Sequence, residues 1–123
     1  MHCAKLYKES GKKVVNISRR KSEFADVNIL KDLREGSEIK AAAQAVKDID
    51  EPIEAIINSI GVFGQETFGN ITEDEIQRHM ATNVKAPMLL ISELIDRIKK
   101  DEADVLNVVS KVGVVGSTTS PVY

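Results

Sequence analysis

Two periods of apolar and polar positions alternate along this chain, and the switches between them lay out its elements. Met1–Ser10 reads as the tail of a helix in which Cys3, Leu6 and Tyr7 share a face, with Gly11 behind it as a stop. Lys13–Ser18 (KVVNIS) is short and β-branched, the pattern of a strand, and Ala25–Leu33 (ADVNILKDL) predicts a second, weaker strand with Asp32 at its end. The connection from Arg19 to Phe24 leaves room for little or no helix. Ser37 is the expected N-cap of the next helix, with Glu38 in its first turn; Ile39, Ala42, Ala43, Val46 and Ile49 follow at helical period until Asp50 and Pro52 end it. Ile53–Ile57 (IEAII) is nearly continuous in apolar residues, as in strands buried on both faces of a parallel sheet.

Thr72 opens a long helix. Glu73, Asp74 and Glu75 suit the positive end of its dipole, and Thr72 and Glu75 have capping-box spacing. Ile76, Met80, Val84, Met88, Ile91, Ile95 and Ile98 form one apolar stripe, which places Met80 and Met88 in a core, and Lys99 and Lys100 close the helix. Pro87 interrupts it. A proline offers no N–H to the carbonyl four residues back, so the Asn83 carbonyl is expected to be freed and the helix kinked there. Either the kink is purely structural or the freed carbonyl holds water. A final buried strand, carried by Val105, Leu106, Val108 and Val109, runs through Ser110 into a loop of Gly113, Gly116, Ser117, Thr118, Thr119 and Ser120, and Tyr123 follows. Strands joined by helices in this order predict an α/β fold with a doubly wound parallel sheet.

Composition narrows the function. The chain has 123 residues, 42% hydrophobic and 29% charged, which suits one soluble domain without internal boundary. A net charge of −2 implies no nucleic-acid or anionic-membrane partner. Cys3 is the one cysteine, which excludes an internal disulfide and fits a reducing, cytoplasmic compartment. No apolar run reaches the length of a membrane span, the opening residues are too charged for a signal peptide, and the scattered histidines and cysteine make no metal site.

In open α/β sheets ligands bind at the carboxyl ends of the strands. Those ends carry Ser18-Arg19-Arg20-Lys21, Asp32, Asn58-Ser59-Ile60-Gly61 and Ser110. The cations fit a solvated loop or a phosphate seat, since guanidinium forks match phosphate oxygens. The Asn–Gly turn fits a bare turn or a close backbone approach to a ligand. Ser110, with Tyr123 able to fold back beside it, fits an ordinary loop or a catalytic hydroxyl pair.

Four of these features, in order, resemble the short-chain dehydrogenases/reductases over nearly the whole chain. In that family a strand ends in Asn-Asn-Ala-Gly, where this chain has Asn58-Ser59-Ile60-Gly61. A long helix carries an Asn, here Asn83 in NVKAP; the next strand ends in a catalytic Ser, here Ser110; and a catalytic Tyr follows, here Tyr123. The resemblance implies a partial NAD(P)-binding Rossmann domain and hydride transfer between a nicotinamide cofactor and a carbonyl or alcohol. Tyr123 would be the general acid, Ser110 would hold the substrate oxygen, and Asn83 would hold a relay water. Asn58, Ser59 and Gly61 would line the cofactor. Asp32 with Leu33 would contact its adenine side, Asp26 being a rival, and Tyr123 would also touch the cofactor. Where an acidic residue would bind ribose hydroxyls, Ser18, Arg19 and Arg20 stand instead, which predicts NADP over NAD. The family's glycine-rich turn and the Lys four residues after its Tyr are absent, and a central strand is missing between Lys13–Ser18 and Ile53–Ile57. The chain is therefore expected to be an inactive, poorly stable fragment of an enzyme whose subunits associate through the helix from Thr72. A non-catalytic dinucleotide-binding regulator of the same fold is the alternative. A receiver-like module would instead want acidic clusters at the strand ends.

Overall fold

A computed structural model describes residues 2–64, 66–116 and 121–122. The elements run α1 (His2–Glu9), β1 (Val15–Ser18), β2 (Val27–Leu30), α2 (Gly36–Lys47), β3 (Ala55–Asn58), α3 (Glu73–His79), a π-helical segment (Met80–Lys85), α4 (Ala86–Asp101), β4 (Asp104–Asn107) and α5 (Val112–Val115). The strands form two parallel pairs. β1 lies beside β2 with Ser18 opposite Leu30, and β3 lies beside β4 with Asn58 opposite Asn107. Among the described residues no ladder joins β1 to β3. Lys12 reaches Glu54 at 2.6 Å and Lys13 reaches Glu51 at 2.6 Å, so two ion pairs link the amino ends of the two strand pairs.

The β1–β2 connection crosses without a helix, held by polar side chains. Asn16 and Asn28 are cross-strand partners, with Asn16 Nδ2 donating to Asn28 Oδ1 at 2.9 Å. Asn16 Nδ2 also donates to the Arg20 carbonyl at 2.9 Å, and Asn28 Oδ1 accepts from Ser22 N at 2.8 Å. Asp26 lies at the amino end of β2, where its carboxylate takes Lys8 and the Val14 N–H; these bonds hold its pKa below the ordinary value.

One core ties the two strand pairs together. Ile39, Ala42, Ala43 and Val46 of α2 meet Ala86, Leu90, Leu94 and Ile98 of α4, and Ile29 and Leu33 close over them. The small alanines let the helices approach closely, and the four-residue spacing of the α4 set makes one straight buried row. Arg97 fastens the edge of this layer. Its guanidinium donates to the carbonyls of Ile49 at 3.0 Å and Glu51 at 2.5 Å and pairs with Asp101, whose carboxylate also accepts from Ile53 N at 2.8 Å.

Several expectations need correction. The Thr72 capping box forms as expected, but α2 begins at Gly36. Its N-cap is Glu35, without a side-chain bond, because the turn Asp32–Glu35 feeds directly into the helix and leaves Ser37 inside its first turn. Ile49 lies beyond the end of α2. The buried face of the long helix keeps only part of the expected stripe: Ile98 is in the core and Ile91 packs against it, but Ile76, Met80, Val84, Met88 and Ile95 are exposed, and Ala86, Leu90 and Leu94 complete the buried row. Both rows have helical period, and only packing against α2 chooses between them. Pro87 sits in the first turn of α4, directly after the π segment, where Ala86 N donates to Ala81 O; the proline's missing donor is absorbed by a change of helical register. β4 is exposed along its length rather than buried, since β3 is its one ladder among the described residues. β3 is half-buried rather than covered on both faces. The α1 face of Cys3, Leu6 and Tyr7 is exposed as well.

Candidate functional site

Within their parallel pairs β1, β3 and β4 end in the polar residues Ser18, Asn58 and Asn107, while β2 ends in Leu30 with Asp32 two positions on. Asn58 closes β3, buried to 8% exposure, and its Nδ2 donates to Asn107 Oδ1 at 2.9 Å. Two carboxamides thus lock the carboxyl ends of β3 and β4 in register. Beyond them the chain opens into two adjoining clefts. One of about 250 Å³ is lined by Ser59, Ile60, Gly61, Val62, Phe63, Val108 and Val109. The other, about 260 Å³, contains Asn58, Asn83 and Asn107 with Val84, Pro87 and Met88 on its helical wall.

Asn83 reaches these clefts because the π segment carries it. Its Oδ1 accepts from Val62 N at 2.8 Å and its Nδ2 donates to Val62 O at 3.0 Å. This reciprocal pair clasps the loop after β3 to the helix and satisfies both backbone groups of one residue. The contacts that define Asn83 are those of its carboxamide, where the proline argument pointed to its carbonyl. Gly61 stands beside it, and a Cβ there would touch Asn83 Oδ1 at 3.6 Å, an ordinary contact. Met88, expected in the core, is a wall of the second cleft.

Ser110 is half-buried after β4, and its Oγ accepts from Val112 N at 3.2 Å, which opens the short α5. It lines neither cleft, so the described contacts do not bring it to Asn83 or Asn58. Tyr123 lies outside the described residues, as do Ser117, Thr118, Thr119 and Ser120.

At β1, the Ser18 hydroxyl donates to Arg20 O at 2.5 Å and folds the following loop back on the strand. Arg19 and Arg20 are exposed there. Asp32 lies beyond β2 and is gripped by Arg34, whose Nε is 2.9 Å from Oδ1. The Arg34 side chain and N–H, with Arg19 adding to the field, lower the Asp32 pKa to about 2. Asp32 is thus held ionised and matched by the Arg34 cation. Leu33 beside it is buried in the core. Asp26, by contrast, is at the opposite end of β2.

Sequence reading missed Asn107 and Arg34. Asn107 had no strand-end signal, because Val108 and Val109 continue the apolar run past it. Arg34 had none beyond its proximity to Asp32. Among the described residues no cluster of His, Cys, Asp and Glu is arranged to hold a metal ion, and no helix is long and apolar enough to cross a membrane.

Two pairs of parallel strands packed with helices, with a polar site at their carboxyl ends, define an α/β protein. The sequence model of the short chain dehydrogenase family matches residues 2–123, and the chain belongs to that family. It is 32% identical over 93 residues to the ketoacyl reductase HetN of Nostoc sp., covering 75% of this chain and 32% of that protein. It is 30% identical over 92 residues to an uncharacterized oxidoreductase of Thermotoga maritima, covering 72% of this chain and 37% of the relative. The chain therefore spans about a third of the length of these curated relatives. The crystal structure of Cj0485 dehydrogenase superposes with a TM-score of 0.86 at 23% identity, over 98% of this chain and 50% of that one, which shows the shared fold.

Proposed function

We propose that the chain is the partial dinucleotide-binding domain of a cytoplasmic, NADP-preferring oxidoreductase acting on a small carbonyl or alcohol. The observation that carries the cofactor reading is the pairing of Asp32 with Arg34 beside exposed Arg19 and Arg20. A carboxylate bound by its own arginine repels a 2′-phosphate less, and the free guanidinium groups supply the forked donors a phosphate takes. Ser18 shapes that loop, and Asp32 with Leu33 borders the adenine side; the position of Asp26 at the amino end of β2, engaged by Lys8, favours Asp32 over it. Asn58, Ser59 and Gly61 offer a polar turn at a cleft wall for the nicotinamide half.

The bound nicotinamide supplies or accepts the hydride. The chain's own groups do the rest: Tyr123 gives a proton to the developing alkoxide, Ser110 hydrogen-bonds that oxygen, and Asn83 holds the wall of the cleft. Ser110 presents its hydroxyl to Val112 N, and donating its proton to a substrate oxygen is compatible with accepting that bond. The exposed apolar row of Ile76, Met80, Val84 and Met88 supports association of subunits through the helix from Thr72. The test is competition between NADPH and NADH for the intact parent protein, followed by fluorescence of the reduced nicotinamide. Tighter NADPH binding, with most of the preference erased by Arg19→Ala, is the expected result; an intrinsic preference for NADH overturns it.

A further inference from the structure

A second polar cluster sits behind the loop that Asn83 clasps. Glu66 has a side chain only 2% exposed. Its Oε1 lies 3.3 Å from Nε2 of His79, itself buried, and 3.4 Å from the guanidinium of Arg78. Oε2 accepts from no donor among the described residues. A carboxylate accepts hydrogen bonds only, so the bond at Oε1 is the one Arg78 Nη2 donates at 3.4 Å, while His79 Nε2, 3.4 Å from the same guanidinium nitrogen, packs against the pair. Burying a polar group is costly unless it is hydrogen-bonded, so this carboxyl is held in place by its partners. The carboxylate is also folded over Gly64: a Cβ there would overlap Glu66 Oε1 and Cδ. The loop leaving β3 therefore has two anchors on the α3–π helix, Val62 on Asn83 and Glu66 on His79 and Arg78, with the lining residue Phe63 between them.

We propose that Glu66 is a positioning residue for the cofactor cleft: its anchor on His79 and Arg78 holds the Ser59–Phe63 wall at the distance that lets Asn83 clasp Val62. The inference rests on the reading of that cleft as a dinucleotide site, but its first readout does not. Gly64 supplies the sharper perturbation. Gly64 has no positive φ, so a methyl group there meets no backbone strain, only the buried carboxylate.

The experiment follows hydrogen exchange at the Val62 amide and NADPH affinity in the full chain, for G64A, E66A and the G64A/E66A double variant. G64A is expected to speed Val62 exchange about tenfold, E66A to do the same, and the double variant to be no worse than E66A, because the added methyl then occupies vacated space. Arg78→Lys should retain slow exchange where Arg78→Met loses it. NADPH affinity should fall in parallel with the exchange. Additive effects of G64A and E66A, or Val62 exchange unchanged in either, overturn the proposal. Accelerated Val62 exchange in a chain whose parent binds no dinucleotide supports the anchor and refutes the cofactor reading alone. Should E66A not fold, the Arg78→Lys and Arg78→Met pair decides on its own: equal exchange in the two overturns the anchor.

Discussion

Replacing Asn83 by aspartate separates the two halves of its clasp on Val62. In the parent, one carboxamide makes both bonds, at 2.8 and 3.0 Å. Asn83→Ala forfeits both, and at about 0.5–1.5 kcal/mol net for each half-buried bond the loss is about 1–3 kcal/mol. Asn83→Asp keeps the acceptor for Val62 N–H but sets a second carboxylate oxygen against the Val62 carbonyl, so at neutral pH it loses at least as much. Protonation repairs it, because a carboxylic acid donates to that carbonyl. The folded state then favours the neutral acid, and the folded pKa of this new group rises above its unfolded value of about 3.9. Stability recovered by the proton is fully present below about pH 3.9 and lost as pH rises through the raised folded value. The assay is urea unfolding followed by circular dichroism from about pH 8 to about pH 4, with each variant referred to the parent at the same pH so that other carboxylates cancel. Hydrogen exchange at Val62 reads the same cost where the loop opens without global unfolding. A parent–aspartate gap that stays constant with pH, or Asn83→Ala with parental exchange at Val62, refutes the clasp.

Leu94, 2% exposed in the α2–α4 core, should lose about 3 kcal/mol of unfolding free energy as Leu94→Ala; urea midpoints showing under about 1 kcal/mol would place the core elsewhere. Asp32 titrates at about 2 in the fold, below its ordinary 3.8, because of Arg34. Its contribution is therefore present above about pH 3.8 and lost as pH falls toward about 2. The difference between parent and Asp32→Asn should be small, since the pair is exposed, and should shrink across that window in acid titrations; a difference that grows there contradicts the pairing.

The ends of β1 and β3 were legible because parallel strands read as apolar runs that stop at a polar residue, here Ser18 and Asn58; the end of β4 at Asn107 was not, because Val108 and Val109 continue the apolar run to Ser110. The Thr72 cap was legible because its chemistry is local. The helix that follows was not, because Met88–Ile91–Ile95 and Leu90–Leu94–Ile98 carry the same period, and the π segment resets the register between them. Ser37 misled because the residues before it already form a turn that starts the helix. Glu66 and His79 were invisible in principle: a glutamate and a histidine in a polar loop and helix read as solvated, and only the fold buries them together. The family resemblance placed Asn83 at the site, but its partner, the backbone of Val62, carries no signature in a side-chain alphabet.

The proposed function requires NADPH to bind at the carboxyl ends of β1–β4. Amide chemical shifts of the isotope-labelled chain, titrated with NADPH, test this directly. Perturbations should concentrate at Ser18, Arg19, Arg20, Asp32, Leu33, Ser59 and Gly61, with Asp26, Glu51 and Glu54 at the amino ends unmoved. Shifts centred on those amino-end residues, or none at saturating NADPH, would contradict it.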